Sequence, residues 1–281
     1  MILLPDLDVI VERALSEDLS GGDLTTEAIV DPEARAVGRA IAKTELIACG
    51  MDIFARVFTR LDPGARVEAL KLDGDKVVGS EVLWTVEGRA RALLMGERTA
   101  LNLTQRLCGI ATLAHAYASR VPEGSTTRIT DTRKTTPGLR ILERYAVRCG
   151  GGHNHRDSLG SGVLIKDNHI AAAGGIQAAV LRAMKQVPHT CRIEIEVSSL
   201  PALDEALAAG ADIVMLDNFA HEDVAEAVRR VAGHATVEVS GSVTLERIPE
   251  LCRLGVDVVS VGALTHSAPA ADISMELEPL G

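Results

Sequence analysis

The sequence predicts an α/β protein in which a parallel sheet and its helices close into a barrel, preceded by a smaller α+β domain. Three observations carry this. From about residue 125 onward, short β-branched runs alternate with Ala- and Leu-rich helical stretches, as βαβ units do. Two of the runs, Ile213-Val214-Met215-Leu216 and Val258-Val259-Ser260-Val261, are apolar almost throughout, which suits strands buried on both faces. Five successive runs end in a residue fit for chemistry, namely Lys166, Glu196, Asp217, Ser240 and Gly262. An open doubly wound sheet also fits the alternation, but it gathers only the strand ends beside its switch point. A barrel brings every strand C-terminus to one mouth, so the polar ends favour it.

Taken in order, the chain opens with Met1-Ile2-Leu3-Leu4-Pro5-Asp6, which lacks a basic region and is read as no signal peptide. A helix is expected over Ile10–Leu19, then a turn at Ser20-Gly21-Gly22-Asp23. Short extended pieces follow, such as Arg35–Ala42 and Val82–Val86, separated by turn signals at Asp62-Pro63-Gly64 and Asp73-Gly74-Asp75. A long helix from Ala90 to Leu107 leads to a domain boundary near residue 110. The strands of the second half are Thr127–Thr130, Gly162–Lys166, Arg192–Val197, Asp212–Leu216, Thr236–Ser240 and Val256–Val261. Ser199 can cap the helix whose first turn holds Pro201, and Gly210 can end it. The next helix follows Asn218, runs from His221 to Ala232 and stops at Gly233. A last one, Thr244–Leu254, ends on Gly255, with Pro249 obscuring its start.

Composition bounds the function. A chain of 281 residues with 47% apolar but 2% aromatic content must build its core from Val, Leu, Ile and Ala. A formal charge of -10 argues against a nucleic-acid partner, which rewards a basic surface, yet leaves room for a local basic pocket. The five cysteines (Cys49, Cys108, Cys149, Cys191, Cys252) are scattered and form no C-x-x-C pair. That fits reduced thiols in a cytoplasmic protein. The most apolar stretch, Ile170–Leu181, contains Gln177 and two glycines and is too short to span a membrane.

The segment Asp131–His169 stands out against the acidic whole, with seven Lys or Arg and three His against four acids. Arg140, Arg144 and Arg148 recur every fourth residue and read as a solvated helix face. Arg133-Lys134 and His155-Arg156 sit in loops beside strand ends, where guanidinium and ammonium groups suit carboxylates and phosphates. Gly150-Gly151-Gly152 either ends the preceding helix or lets backbone N–H groups approach an anion. His153, His155 and His169 are a conceivable metal set, but the neighbouring cations make them better donors to an anion. Glu196 and Asp217 would share the mouth, as salt-bridge partners or as holders of sugar hydroxyls and water-coordinated Mg²⁺. Ser240-Gly241-Ser242 and Gly262-Ala263 place small residues after strands, where barrels hold phosphate. Nucleophile-elbow, Walker and G-x-G-x-x-G patterns do not appear.

Longer motifs run in order along nearly the whole chain. They are Glu17-Asp18 with Gly22-Asp23-Leu24-Thr25, Glu97-Arg98-Thr99-Ala100-Leu101-Asn102, Leu107-Cys108-Gly109-Ile110-Ala111-Thr112, and Thr132-Arg133-Lys134-Thr135-Thr136-Pro137-Gly138. Asn154-His155-Arg156, Lys166-Asp167-Asn168-His169, Leu216-Asp217-Asn218 and Val261-Gly262-Ala263-Leu264-Thr265 complete the series. Together they closely resemble the quinolinate phosphoribosyltransferases, the decarboxylating nicotinate-nucleotide pyrophosphorylases. Ser242 departs from the family, which usually has a second glycine there.

The resemblance implies an incomplete α/β barrel of the type II phosphoribosyltransferase kind over residues 111–266, and an α+β domain over residues 1–110 joined by about 267–281. It implies a homodimer or hexamer with a shared active site, to which a neighbouring subunit lends Arg98. Quinolinate's carboxylates would meet Arg133, His155, Arg156, Lys166 and that Arg98. Phosphoribosyl pyrophosphate, as its Mg²⁺ complex, would lie with Lys134 and Lys166 near the pyrophosphate. Glu196 and Asp217 would face the ribose hydroxyls and metal, and Ser240, Gly241, Gly262 and Ala263 the 5′-phosphate. Lys134, Lys166, Glu196 and Asp217 would be the catalytic set. Three rivals stand beside this reading: a paralogue linked to molybdenum transport, a nicotinate enzyme that releases no CO₂, and a barrel that only binds an anion. The full cation set argues against the first two, and Glu196 with Asp217 against the third.

Overall fold

Residues 4–280 are described in a computed structural model. Residues 1–3, where the stretch read as no signal peptide begins, and Gly281 lie outside the described residues. The chain divides into two compact units, the first formed by residues up to His115, Thr135–Gly151 and the chain from Ala263 onward, the second by Ala116–Lys134 and Gly152–Gly262.

The first unit opens with α1 (Leu4–Leu19) and α2 (Leu24–Ile29). The predicted turn at Asp23 is the start of α2, because the Asp23 carboxylate accepts the Thr26 N–H at 2.9 Å and caps it. Next come β1 (Arg35–Ala42), β2 (Leu46–Ile47), α3 (Met51–Leu61), β3 (Arg66–Ala69), β4 (Lys76–Val77) and β5 (Val82–Arg89). β1 alternates between exposed or half-buried and buried positions, as a strand with one packed face does. Helix α3, which the sequence reading missed, has no side chain of its own at the cap position, Gly50. Asp73, far along the chain, supplies it by accepting the Gly50 and Met51 N–H groups at 3.0 and 3.1 Å. Its buried face carries Phe54 and Phe58, which pack edge-on, and Phe54 also meets Trp84 of β5. Three of the chain's six Phe, Trp and Tyr residues therefore serve this one cluster. Helix α4 runs unbroken from Ala90 to Ala118, past the boundary expected near residue 110.

The barrel strands and helices then alternate: β6 (Arg128–Thr130), α5 (Arg140–Cys149), β7 (Val163–Ile165), α6 (Asp167–Ala173), α7 (Ile176–Gln186), β8 (Ile193–Val197), α8 (Leu200–Ala208), β9 (Ile213–Asp217), α9 (His221–Val231), β10 (Thr236–Ser240), α10 (Ile248–Leu254) and β11 (Val258–Ser260). Ser199 caps α8 as read from sequence, accepting the Ala202 N–H at 3.3 Å. Pro249 falls in the first turn of α10, where a missing N–H is tolerated, so the expected helix over Thr244–Leu254 opens with a 3₁₀ turn. Short α11 (Ala263–His266) and β12 (Ile273–Leu280) end the described chain.

In the first unit, β12, β1, β5 and β3 form a four-stranded sheet in that order, and β1 lies antiparallel to both β12 and β5. Helix α5 also belongs to this unit, although the sequence places it in the barrel segment. Its buried Glu143 bonds Arg106 of α4 at 2.9 Å.

The second unit holds the six-stranded parallel sheet, in the order β6-β11-β10-β9-β8-β7. Successive strands from β7 to β11 are neighbours, and β6, first in the chain, pairs with β11. The order never reverses, so there is no switch point, and right-handed crossovers leave all the helices on one side. That is a barrel winding. No pairing between β6 and β7 is found among the described residues, and the free edge of β6 takes a single bridge from Thr130 to His153. The barrel is incomplete at that seam. Alternation along the strands places Ile195, Val197, Val214, Leu216, Val237, Val239 and Val259 on one face, buried, and Glu194, Glu196, Asp217, Glu238, Ser240 and Ser260 on the other.

Candidate active site

The site begins where β6 ends. Asp131, next after Thr130, is fully buried. Its Oδ1 accepts the His155 N–H at 2.8 Å and its Oδ2 the Asn154 amide at 2.6 Å. One carboxylate thereby fixes the Asn154-His155-Arg156 loop.

The His155 ring turns into the barrel. Nε2 lies 3.2 Å from Glu194 Oε2 on β8 and 3.4 Å from Glu238 Oε1 on β10. That these acids reach one ring across β9 shows the polar face of the sheet to be concave. In the neutral ring Nδ1 accepts the Arg156 N–H at 2.8 Å and the proton sits on Nε2, between the acids, whereas a second proton, on Nδ1, breaks that contact. Burial opposes a second proton, but the Glu194 and Glu238 carboxylates outweigh it and raise the imidazole to about 10. Desolvation raises Glu194 in turn, with His155 pulling it back. Both ring nitrogens are engaged within the protein.

Beside this pair stand two guanidinium groups. Arg156 donates from Nη1 to the Gly162 carbonyl at 2.8 Å. Burial lowers its affinity for the proton, and the like charge of Arg133 lowers it further. Arg133 holds a buried Nε that makes no hydrogen bond. Like charges held together with an unused buried donor are stabilised by an anion between them.

Lys166 follows β7 and stands before α6, where its N–H is accepted by His169 Nδ1 at 3.0 Å. Capping is thus the work of His169. The Lys166 ammonium bonds the Glu196 carboxylate at the end of β8. At the end of β9, Asp217 accepts the Asn218 side-chain amide at 3.0 Å, and the Asn218 N–H bonds the Ser240 carbonyl at 3.1 Å. Asn218 is left-handed, at φ 55°. Gly241 is left-handed too, at φ 92°, and a Cβ there would lie 2.2 Å from Asn218 Oδ1, so only glycine fits. Ser242 also has a positive φ, 46°, so the position where the family has glycine demands a glycine-like backbone here as well.

The second unit therefore holds Arg133, Lys134, His155, Arg156, Lys166, Glu196, Asp217, Ser240, Gly241 and Gly262. Lys134 is exposed, and its N–H bonds Thr132 Oγ1. Arg98 is exposed on α4, and Ala263 opens α11; both are counted with the first unit. Sequence reading missed Asp131, Glu194 and Glu238. Glu194 and Glu238 each stand two residues before a residue that was chosen, Glu196 and Ser240, and strand periodicity could have found them.

Two of the alternatives left open by sequence are decided. Gly150 packs against helix α4: a Cβ there would lie 2.2 Å from the Ala111 carbonyl oxygen, so this glycine serves helix contact. Among the described residues, His155 groups with Glu194 and Glu238, within 4.8 Å, not with His153 and His169. Within that cluster Nε2 is at hydrogen-bond distance from Glu194, and Glu238 Oε1 makes no hydrogen bond.

The chain matches the family described as quinolinate phosphoribosyl transferase in both its parts, the N-terminal domain over residues 23–108 and the C-terminal domain over residues 110–276. It is 44% identical over 261 residues to a probable carboxylating nicotinate-nucleotide pyrophosphorylase of Bacillus subtilis, covering 93% of this chain and 90% of that one. It is 38% identical to the human carboxylating nicotinate-nucleotide pyrophosphorylase, covering 98% and 94% of the two chains. Crystalline NadC from Streptococcus pyogenes superposes with a TM-score of 0.95 at 40% identity, over 100% of both chains. With both family domains present and full-length relatives well above 30% identity, the chain belongs to the quinolinate phosphoribosyltransferase family.

Proposed function

We propose that the protein transfers the phosphoribosyl group of phosphoribosyl pyrophosphate to the ring nitrogen of quinolinate, giving nicotinate mononucleotide, pyrophosphate and CO₂ for pyridine nucleotide synthesis. The observation that carries this reading is the pairing of Arg133 and Arg156, one with an unused buried donor, beside a strand-end row of Lys166, Glu196, Asp217 and Ser240. A planar dianion suits two guanidinium forks. Carboxylates at neighbouring strand ends suit ribose hydroxyls.

The pyridine nitrogen attacks C1 of the ribose as the bond to pyrophosphate breaks, so no protein nucleophile is required. The chain's task is to orient both reactants and to stabilise the charge that develops on the leaving oxygens. Lys134 and Lys166 take that second role, and the ion pair with Glu196 aims the Lys166 ammonium. The adjacent carboxylate then leaves as CO₂, its bonding electrons staying on the ring carbon beside the quaternised nitrogen, where a proton from solvent replaces it. Because Nε2 is turned to Glu194 and Glu238, we assign His155 a positioning part, holding the loop that carries Arg156, while Arg133 and Arg156 make the direct contacts.

Mg²⁺ fits the donor set. Glu196 and Asp217 offer hard carboxylate oxygens at the ends of adjacent strands, as that ion prefers. Bound with the donor substrate, it would neutralise the pyrophosphate. The exposed position of Arg98 suits donation to a neighbouring subunit, so we assign a homodimer or a hexamer of dimers acting in the cytoplasm. No helix among the described residues is long and apolar enough to cross a membrane.

Incubating the purified protein with quinolinate, phosphoribosyl pyrophosphate and Mg²⁺, beside a parallel reaction with nicotinate, tests the reading. Nicotinate mononucleotide and CO₂ should form from quinolinate alone. Product from nicotinate, or none from either acid, would overturn it.

A further inference from the structure

Three of the five cysteines, scattered in the sequence, converge in the first unit. The Cys49 N–H donates to Cys108 Sγ and the Cys108 thiol donates to the Cys49 carbonyl, each at 3.3 Å, so Cys108 is spent on the Cys49 backbone. Cys49 Sγ faces elsewhere. With Cys149 Sγ, at the last residue of α5, and a carboxylate oxygen of Asp73, it forms a group whose ligand atoms all lie within 4.8 Å of one another.

We propose that Cys49, Cys149 and Asp73 form a binding site for a thiophilic divalent cation of the zinc class. Two sulfurs and one carboxylate oxygen make a tetrahedral set with one open position, and such ligands around zinc stand about 3.5–3.8 Å apart. Small side-chain movements bring the group from its present spacing to that one.

The carboxylate is already oriented as a ligand would be. Asp73 Oδ1 accepts the Gly50 and Met51 N–H groups, and Oδ2 accepts the Tyr145 hydroxyl at 2.8 Å. Outer contacts of this kind fix metal-bound carboxylates. Charge argues the same way. Burial pushes the Cys49 thiol well up, whereas a hydrogen bond from Cys49 holds the Cys149 thiol down, with Tyr145 assisting. A bound cation would hold both sulfurs as thiolates. Half-buried Cys149 leaves a route inward. Thiolates also separate this site from the all-oxygen pair Glu196 and Asp217, which suits a harder ion. A bound cation would tie together the start of α3, the Asp73 turn and the end of α5.

Co²⁺ titrated into the metal-free full-length protein is the probe, followed by displacement with Zn²⁺. One equivalent per chain should produce a thiolate-to-cobalt charge-transfer band. Cys149→Ser, at a half-buried helix end, should cut the band at saturation to half or less, Cys49 remaining as the one sulfur ligand, and weaken binding by about a hundredfold. Tyr145→Phe, which removes only the outer hydroxyl, should weaken it by about tenfold. Cys191→Ser and Cys252→Ser should leave it unchanged. Absence of the band in the wild type, or a band and affinity in folded Cys149→Ser equal to wild type, would overturn the proposal. So would a Cys49–Cys149 disulfide formed under peroxide in a protein that shows no cobalt band.

Discussion

His155 and Glu194 form a buried pair inside the barrel, 3.2 Å from ring nitrogen to carboxylate oxygen, with Glu238 0.2 Å further from the same nitrogen at 3.4 Å. The pair makes stability depend on pH in a definite sense. An imidazole raised to about 10 in the folded protein contributes stability that is complete below the unfolded value near 6.5 and is lost as pH rises through the folded one. The free energy of unfolding should therefore fall by about 1–3 kcal/mol between roughly pH 6.5 and 10, the raised Glu194 offsetting part of the gain. Urea titrations across that range check it. In Glu194→Gln the decline should flatten; an unchanged slope would show that the pair is not its source.

Arg133→Ala should lower kcat/KM for quinolinate by about two to three orders of magnitude, since a charged, planar donor is removed from a desolvated site. Arg133→Lys should recover little, because an ammonium cannot reproduce the fork. Steady-state kinetics on folded variants decide it, and wild-type-like rates in Arg133→Ala would remove Arg133 from the site. Lys134→Ala should likewise lose most turnover.

Gly241→Ala forces a side chain into a left-handed residue 2.2 Å from Asn218 Oδ1. Either the Asn218 amide leaves Asp217, or the loop shifts. We expect a loss of about 1–3 kcal/mol in stability and a higher KM for phosphoribosyl pyrophosphate, with the KM for quinolinate less affected. Thermal melts and substrate titrations separate the two effects. Ser242→Gly should be neutral or stabilising by up to about 1 kcal/mol, as it relieves a positive φ.

Gly150→Ala meets backbone rather than a movable side chain. Its Cβ would stand 2.2 Å from the Ala111 oxygen and 2.9 Å from the His115 nitrogen. The α4–α5 contact must open, at a cost on the order of 2–4 kcal/mol. Chemical denaturation measures this. A stability equal to wild type would return Gly150 to the role of a simple helix stop.

Parts of this protein were legible because their causes are local. The strands Ile213–Asp217 and Thr236–Ser240 are β-branched or apolar runs between turn residues, and were read nearly to the residue. Ser199 announced a helix start by side-chain chemistry, whereas α9 begins at His221 with no side-chain cap. Helix α3 was not legible, because its cap is Asp73, distant in sequence. Asp131, just past β6, gave no sign of its burial, and Glu194 and Glu238 looked like ordinary strand residues although their period-two spacing from Glu196 and Ser240 puts them on the same face.

By itself the sequence determined the alternation of strand and helix, the cluster of cations around residues 133–166, and the motifs that place the chain in its family. Each follows from residue type and spacing. Only the tertiary structure decided that the sheet winds without reversal, that two buried glutamates face the His155 ring, and that Cys49, Cys149 and Asp73 meet. Those facts depend on strand order and on contacts between residues far apart in the chain, and burial then turns proximity into chemistry by removing the water that would otherwise screen it.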